Sequence, residues 1–266
     1  MYKEFYGLRE KPFSKTPDPR FLYLSKGHQE ALARLQYVLE EREIALLTGE
    51  IGCGKTTISR ALMDSMGDSY HFTFIFNPRL NVMEFLRGIA RGLLVASPST
   101  NKDELLREIT EALYRFHQEG RCPVFIIDEA QLIPDREIYE EIRLLTNFQL
   151  DEQNLLSMII MGQPELRKIL AAPVYEPFRQ RLAINYHLSP LDLEETMEYL
   201  DFRMEKAGGS AGLFSPDAVH VIYELSGGVP RKINVIATNA LLEGFGLGAG
   251  WIDGAIVEGV KDELSI

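Results

Sequence analysis

The sequence predicts an α/β fold, a parallel five-stranded sheet sandwiched by helices, followed by a small all-helical lid domain. Three observations point there. Short, almost continuously apolar runs alternate with stretches of helical periodicity between residues 44 and 188; strands that are apolar on both faces belong to parallel sheets covered by helices. A glycine-rich octapeptide, residues 49–56, stands between the first apolar run and the helical pattern after it. From Asp192 the pattern becomes purely helical, broken by glycines at 208–209, 227–228 and 244–250, and needs no strand.

The elements follow in order. Residues 1–26 hold Phe13, Pro17, Asp18, Pro19, Arg20, Phe21 and Tyr23. Their proline spacing forbids a long helix, so they read as an ordered arm packed on the core. Ala31, Leu32, Leu35, Val38 and Leu39 keep helical spacing over 28–42. A strand at 44–48 leads into the glycine-rich loop and a helix over 55–66. Strands are predicted at 71–76, 124–127, 156–161 and 184–188, and helices at 81–95, 103–118 and 135–147. The helical part divides into 192–206, 216–225, 230–243 and 253–263, and the single Trp251 reads as core packing for its last helix. The domain boundaries are therefore 1–190 and 191–266, a size that needs no disulfide or metal to hold a core.

Composition restricts the function. The two cysteines, Cys53 and Cys122, form no ligand pattern, which fits a reduced, cytosolic chain. The N-terminus lacks a signal-peptide core, and no apolar run approaches the ~20 residues that span a bilayer. A cytoplasmic protein with no direct membrane span is expected, any membrane role passing through a partner. Net charge is −11, and residues 191–266 contribute five basic and thirteen acidic side chains. Nucleic-acid binders carry a basic footprint, so nucleic acid is not the expected partner, though a small local basic site is compatible with these numbers.

The octapeptide is Gly49-Glu50-Ile51-Gly52-Cys53-Gly54-Lys55-Thr56. The spacing G-x-x-x-x-G-K-[ST], directly after an apolar strand and at the start of a helix, is that of a phosphate-binding loop. Its glycines let the backbone curl with N–H groups turned inward, where they and the helix N-terminus, through Thr57, bind phosphate oxygens. Lys55 reaches the terminal phosphates of ATP, and Thr56 binds Mg²⁺. Cys53 is a spacer within the loop. A second motif, Val124-Phe125-Ile126-Ile127-Asp128-Glu129, is a buried strand ending in two carboxylates. Ligands of parallel sheets collect at that end of the strands. Asp128 is assigned to the metal and Glu129 to the attacking water as general base.

With both motifs and a helical tail in place, the sequence resembles the AAA+ ATPases within the P-loop NTPase class. More narrowly, it resembles the general secretion pathway protein A family. The residues carrying that likeness are Tyr2, Phe5-Tyr6-Gly7-Leu8-Arg9-Glu10-Lys11-Pro12-Phe13, residues 17–23, Asp128-Glu129-Ala130-Gln131, Gly162-Gln163-Pro164-Glu165-Leu166, Arg179-Gln180-Arg181 and Gly227-Gly228-Val229-Pro230-Arg231-Lys232-Ile233-Asn234. The resemblance covers nearly the whole chain.

The resemblance implies further roles. Gln163 occupies the place of a γ-phosphate sensor. Arg181, or else Arg179, is the arginine finger supplied to a neighbouring subunit. Arg231 is the lid-domain sensor that touches the γ-phosphate, and Asn77 holds Glu129 in an idle state. Arg79, Arg87 and Arg91 read as a solvated face rather than a channel lining. His28, with Tyr23, is placed near the adenine or at a helix end. The implied function is ATP hydrolysis by an ATP-dependent homo-oligomer, a hexamer or ring, serving a secretion, pilus or exopolysaccharide-type envelope system through an inner-membrane partner protein. The rival readings are a DNA-associated regulatory ATPase resembling transposition helper proteins, and a switch that binds nucleotide without hydrolysing it.

Overall fold

A computed structural model describes residues 1–14, 19–150 and 153–261. Residues 17 and 18 of the resemblance and the last residues of the 253–263 helix lie outside them. The chain divides into two compact units: Gln29–Gly49 with Ile58–Leu188, and Met1–His28 with Glu50–Thr57 and Ser189–Ile266.

The first unit is built on five parallel strands, β1 (Ile44–Gly49), β2 (Tyr70–Ile75), β3 (Cys122–Ile127), β4 (Ser157–Gly162) and β5 (Leu182–Leu188), in the spatial order β2-β3-β4-β1-β5. Every residue of β1, β3 and β4 is buried, which explains their unbroken apolar runs. The outer strand β5 alternates between covered and exposed positions, as an edge strand does. In register, Ile126 lies between Phe74 of β2 and Ile159 of β4, and Leu46 between Ile160 of β4 and Asn185 of β5. Helices α1 (Lys26–Glu40), α2 (Lys55–Ser65), α3 (Val82–Gly92), α4 (Lys102–Gln118), α5 (Arg136–Leu145) and α6 (Pro164–Leu170) connect or flank these strands in the chain. Three of them start at a capping side chain. Asn81 caps α3 reciprocally with Glu84, Asn101 caps α4 and Asp135 caps α5. A short antiparallel pair, Gln149–Leu150 with Gln153–Asn154, leaves no apolar run because three of its four residues are polar.

The second unit is helical: α7 (Leu193–Lys206), α8 (Pro216–Ser226), α9 (Pro230–Gly246) and α10 (Gly254–Gly259). Its core joins Leu200, Ile222, Ile233, Ile236, Ala240 and Val257 with Leu8, Phe13 and Phe21. The arm expected to pack on the α/β core therefore packs with the helical domain. Its aromatic side chains supply apolar surface that four short helices lack. A buried guanidinium, Arg203, holds the arm's irregular backbone by donating to the carbonyls of Pro12 at 2.6 Å, Phe21 at 3.2 Å and Ser14 at 3.5 Å.

Two further features differ from the sequence expectation. Trp251 is 65% exposed; its neighbour Ile252 is the buried residue and bridges to Phe214. Sequence order alone does not say which of two adjacent apolar residues turns inward. The glycine run that was to end the third lid helix begins inside α9, because Gly244 is needed for close packing: a Cβ there would stand 2.5 Å from Ile252 Cδ1 and 2.6 Å from the Tyr6 hydroxyl.

Candidate active site

The phosphate loop belongs to the helical unit. Gly52 and Gly54 have φ of +91° and +101°, a region that side-chain-bearing residues rarely enter. Space demands glycine as well. A Cβ on Gly52 would meet Arg231 Cβ at 2.5 Å and Val229 Cγ1 at 3.3 Å, and one on Gly54 would meet His28 Nε2 at 2.7 Å. The loop closes on itself through Cys53 N–H to Glu50 O at 3.2 Å and Thr57 N–H to Gly54 O at 2.9 Å. Lys55, 7% exposed at the head of α2, folds its ammonium over the loop to Glu50 O at 3.0 Å. Glu50, Ile51 and Thr56 are exposed. Two positive-φ glycines, a lysine ammonium and a helix N-terminus supply donors and positive charge, a cradle that fits a string of phosphates.

Two residues from elsewhere in the same unit complete the loop's surroundings. Arg231 stands in the first turn of α9, beside Gly52. It is placed there by Gly227 and Gly228, whose φ of +60° and +72° turn the chain between α8 and α9, and by the bond from Leu191 N–H to Gly228 O at 2.9 Å. A Cβ on Gly228 would lie 1.9 Å from Leu191 O, so this turn admits only glycine. His28 is buried against the loop, with Nε2 2.8 Å from Cys53 O and Nδ1 2.7 Å from Ser25 Oγ. Burial holds its imidazole below the ordinary value of 6.5, against the opposing pull of the Cys53 carbonyl and the Glu195 charge. Tyr23, grouped with His28 in the sequence, donates instead to Glu198 at 2.6 Å. Burial pushes the Cys53 thiol up to about 11.

The acidic residues belong to the α/β unit. Asp128 continues β3, with its N–H on Ile75 O at 3.1 Å, and it is 9% exposed. Its Oδ1 accepts the N–H of Glu129 at 2.8 Å. Glu129 has φ +53° and ψ +39°, a left-handed conformation uncommon for a residue with a side chain and typical of functional positions. Two side-chain amides reach its Oε2: Gln163 Nε2 at 3.0 Å and Gln131 Nε2. Gln131 Oε1 accepts the backbone N–H of Gln163 at 3.1 Å. Because β3 and β4 are adjacent strands, Asp128, Glu129 and Gln163 emerge side by side from their C-terminal ends. A carboxylate pair at such an edge suits a hard divalent cation bound mostly through water and phosphate.

Other predicted residues lie apart. Asn77, expected to hold Glu129, is exposed and accepts the N–H of Arg79 at 3.4 Å; the amides placed on Glu129 are those of Gln131 and Gln163. Arg179 caps its own neighbourhood, donating to Leu170 O, to Ala172 O at 3.1 Å and to Glu176. Arg181 is exposed, and its charge bears on the Glu43 carboxyl. Arg79 and Arg91 are exposed, whereas Arg87 is half-buried with Nε lacking a hydrogen-bond partner. Sequence reasoning assigned no role to Gln131 or Ser25. The signals were present as an amide two residues after the glutamate and a serine three before the histidine.

Residues 38–170 match the family model described as AAA domain. The chain is 38% identical over 273 aligned positions to General secretion pathway protein A of Aeromonas hydrophila, an alignment covering 99% of this chain and 50% of that protein. It is 25% identical to DNA polymerase III subunit gamma of Buchnera aphidicola, covering 84% of this chain and 56% of that one. The chain thus spans about half the length of the curated relatives it matches. Among solved structures, Cdc6p from Pyrobaculum aerophilum has a TM-score of 0.66 at 20% identity, covering 89% of this chain and 68% of that one. The Thermotoga maritima RuvB Holliday junction branch migration motor has a TM-score of 0.59 at 19% identity, covering 91% and 70%. These neighbours share the P-loop AAA+ fold. No described helix is long and apolar enough to cross a membrane.

Proposed function

Since this chain belongs to the AAA domain family, we propose that it hydrolyses ATP with Mg²⁺ and thereby drives or regulates assembly of a secretion, pilus or exopolysaccharide-type envelope system from the cytoplasmic side. The observation that carries hydrolysis, rather than nucleotide binding alone, is Glu129: a carboxylate at the end of β3 in a left-handed backbone conformation with two amides on one oxygen. A switch that only binds nucleotide has no use for a carboxylate so placed.

In this reading the amides of residues 50–57 and the Lys55 ammonium bind the phosphates, and Thr56 and Asp128 hold the metal. Mg²⁺, when bound, neutralises charge on the phosphate oxygens. Glu129 orients the attacking water and takes its proton. Gln163 and Arg231 respond to the terminal phosphate, Arg231 from the first turn of α9. Arg181 acts on the site of the next subunit, where a planar guanidinium stabilises charge on the transferring group. Assembly into a ring of identical copies then switches the enzyme on, and an inner-membrane partner protein gives it its place. The export role rests on the likeness to General secretion pathway protein A, and the acidic residues 191–266 weigh against a DNA-associated role.

The test is phosphate release from Mg²⁺·ATP by the parent chain, Lys55→Ala and Glu129→Gln. Lys55→Ala should lose ATP binding. Glu129→Gln should bind ATP and lose turnover by at least ~100-fold, the range of a general base. Full turnover by Glu129→Gln, or unchanged binding by Lys55→Ala, sinks the scheme.

A further inference from the structure

We propose that Gln131 is a positioning residue for Glu129, a strut that fixes the carboxylate against the end of β4. This rests on the reading of Glu129 as the base. Gln131 lies in a 3₁₀ turn, Ala130–Leu132, which Leu132 N–H closes on Glu129 O at 2.9 Å. The turn brings the Gln131 side chain back across the strand ends.

Chemistry fixes the orientation of its carboxamide. The backbone N–H of Gln163 can only donate, so the group facing it at 3.1 Å is Oε1. The amide NH₂ is thereby directed at Glu129 Oε2. Gln163 Nε2 approaches the same oxygen at 3.0 Å. Gln131 thus ties together the backbone at residue 163 and the carboxylate that Gln163 also holds.

The end of β4 is shaped to admit this side chain. Gly162 is the last residue of a fully buried strand, and a Cβ there would lie 2.6 Å from Leu166 Cδ2 and 2.9 Å from Gln131 Oε1. A larger residue would push the carboxamide away from the Gln163 N–H. Gln163 serves a second purpose, because the amide that reaches Glu129 is the group a phosphate sensor would use. If Gln163 turns to phosphate, Gln131 is the donor that stays on Glu129, anchored through a backbone N–H that side-chain rotation does not move. Outer partners that orient the ligands of a metal site change affinity or activity by about 10–100-fold when removed, and loss of the strut on Glu129 is expected on that scale.

Three variants test the assignment, measured for turnover, apparent KM for ATP and thermal unfolding at concentrations where the parent hydrolyses ATP. Gln131→Met keeps length and removes both hydrogen bonds. It should lower kcat by about 10–100-fold while KM for ATP stays within about twofold, since ground-state binding is untouched. Gln131→Glu is nearly isosteric but sets a second carboxylate against Glu129. It should be as impaired at neutral pH and regain activity as pH falls, because one proton shared between the two carboxyls restores the donor; neither the parent nor Gln131→Met should gain activity on acidification. Unchanged or raised kcat in Gln131→Met, or a Gln131→Glu profile that parallels the parent's, overturns the proposal. If Gln131→Met does not fold, Gln131→Glu decides by its pH profile. Glu129→Gln separates the two levels of inference: loss of turnover there with unaffected Gln131 variants removes the strut alone, whereas retained turnover removes the base and the strut together.

Discussion

His28 Nε2 lies 2.8 Å from the carbonyl oxygen of Cys53, in the middle of the phosphate loop. A carbonyl only accepts, so Nε2 carries the proton and Nδ1 accepts from Ser25 Oγ at 2.7 Å. The imidazole is therefore a neutral brace for the loop. His28→Ala should leave the Cys53 carbonyl without this donor, lowering stability by about 1–3 kcal/mol and raising KM for ATP more than it lowers kcat. Burial keeps the imidazole below 6.5 in the folded chain, so the unfolded chain takes up this proton first as pH falls. The stability contributed by neutral His28 is fully present above pH 6.5 and declines on acidification from there toward the lowered value. Urea unfolding of parent and His28→Gln across pH 5–8 checks this. Curves that stay parallel below pH 6.5 would refute it.

The loop thiol gives an independent check on the same geometry. Cys53 is 1% exposed with its thiol pushed up to about 11, and Cys122 is 4% exposed with its thiol raised by burial. A buried thiol above the ordinary range is a poor nucleophile at neutral pH. Neither of the chain's two cysteines should react with a thiol reagent in the native protein at pH 7.5, and both should react in denaturant. Rapid native labelling of Cys53, blocked or not by ATP, would mean that the loop opens far more than this packing allows.

Much of this was legible in the sequence because periodic burial wrote it there. The unbroken apolar runs of β1, β3 and β4 exist because both of their faces are covered. The phosphate loop is legible for another reason: positive φ and absent space leave only glycine at 52 and 54. The acid pair was located by the strand it terminates. What stayed hidden depends on contacts between distant segments. No local pattern shows that Trp251 faces outward while Ile252 is buried, or that the arm's aromatics join the helical core. The Gln131 carboxamide looks like any polar residue after a strand until the fold brings residue 163 beside it.

The arm should depend on one side chain. Arg203 is 8% exposed, donates to three arm carbonyls and lies with its guanidinium 4.9 Å over the Phe21 ring. Arg203→Met preserves bulk but orphans those carbonyls, which should destabilise the protein by about 2–4 kcal/mol. Arg203→Lys should recover little, since an ammonium cannot match the planar fork. Thermal unfolding gives the magnitude. Limited proteolysis places the effect, with new cleavage expected first at Lys11 or Arg20 while residues 29–188 stay intact.

Arg179 and Arg181, two residues apart, should separate cleanly into a structural and a catalytic arginine. Arg179 is committed to the carbonyls of Leu170 and Ala172 and to Glu176, so it is badly placed to reach another molecule. Arg179→Ala should lower stability by about 1–3 kcal/mol as those carbonyls lose their donor. Arg181 is exposed, and exposed charges contribute little to folding. Arg181→Ala should therefore leave unfolding unchanged while lowering turnover of the assembled protein by about 10³-fold, the scale of an arginine finger. Mixing gives the decisive measurement. Lys55→Ala lacks a working phosphate loop but keeps its finger, and Arg181→Ala has the reverse defect. Combined at equal concentration they should recover turnover that neither shows alone, because sites formed between unlike copies are complete. No recovery, with co-assembly demonstrated by sizing in ATP, would place Arg181 outside the reaction and return the finger to another residue.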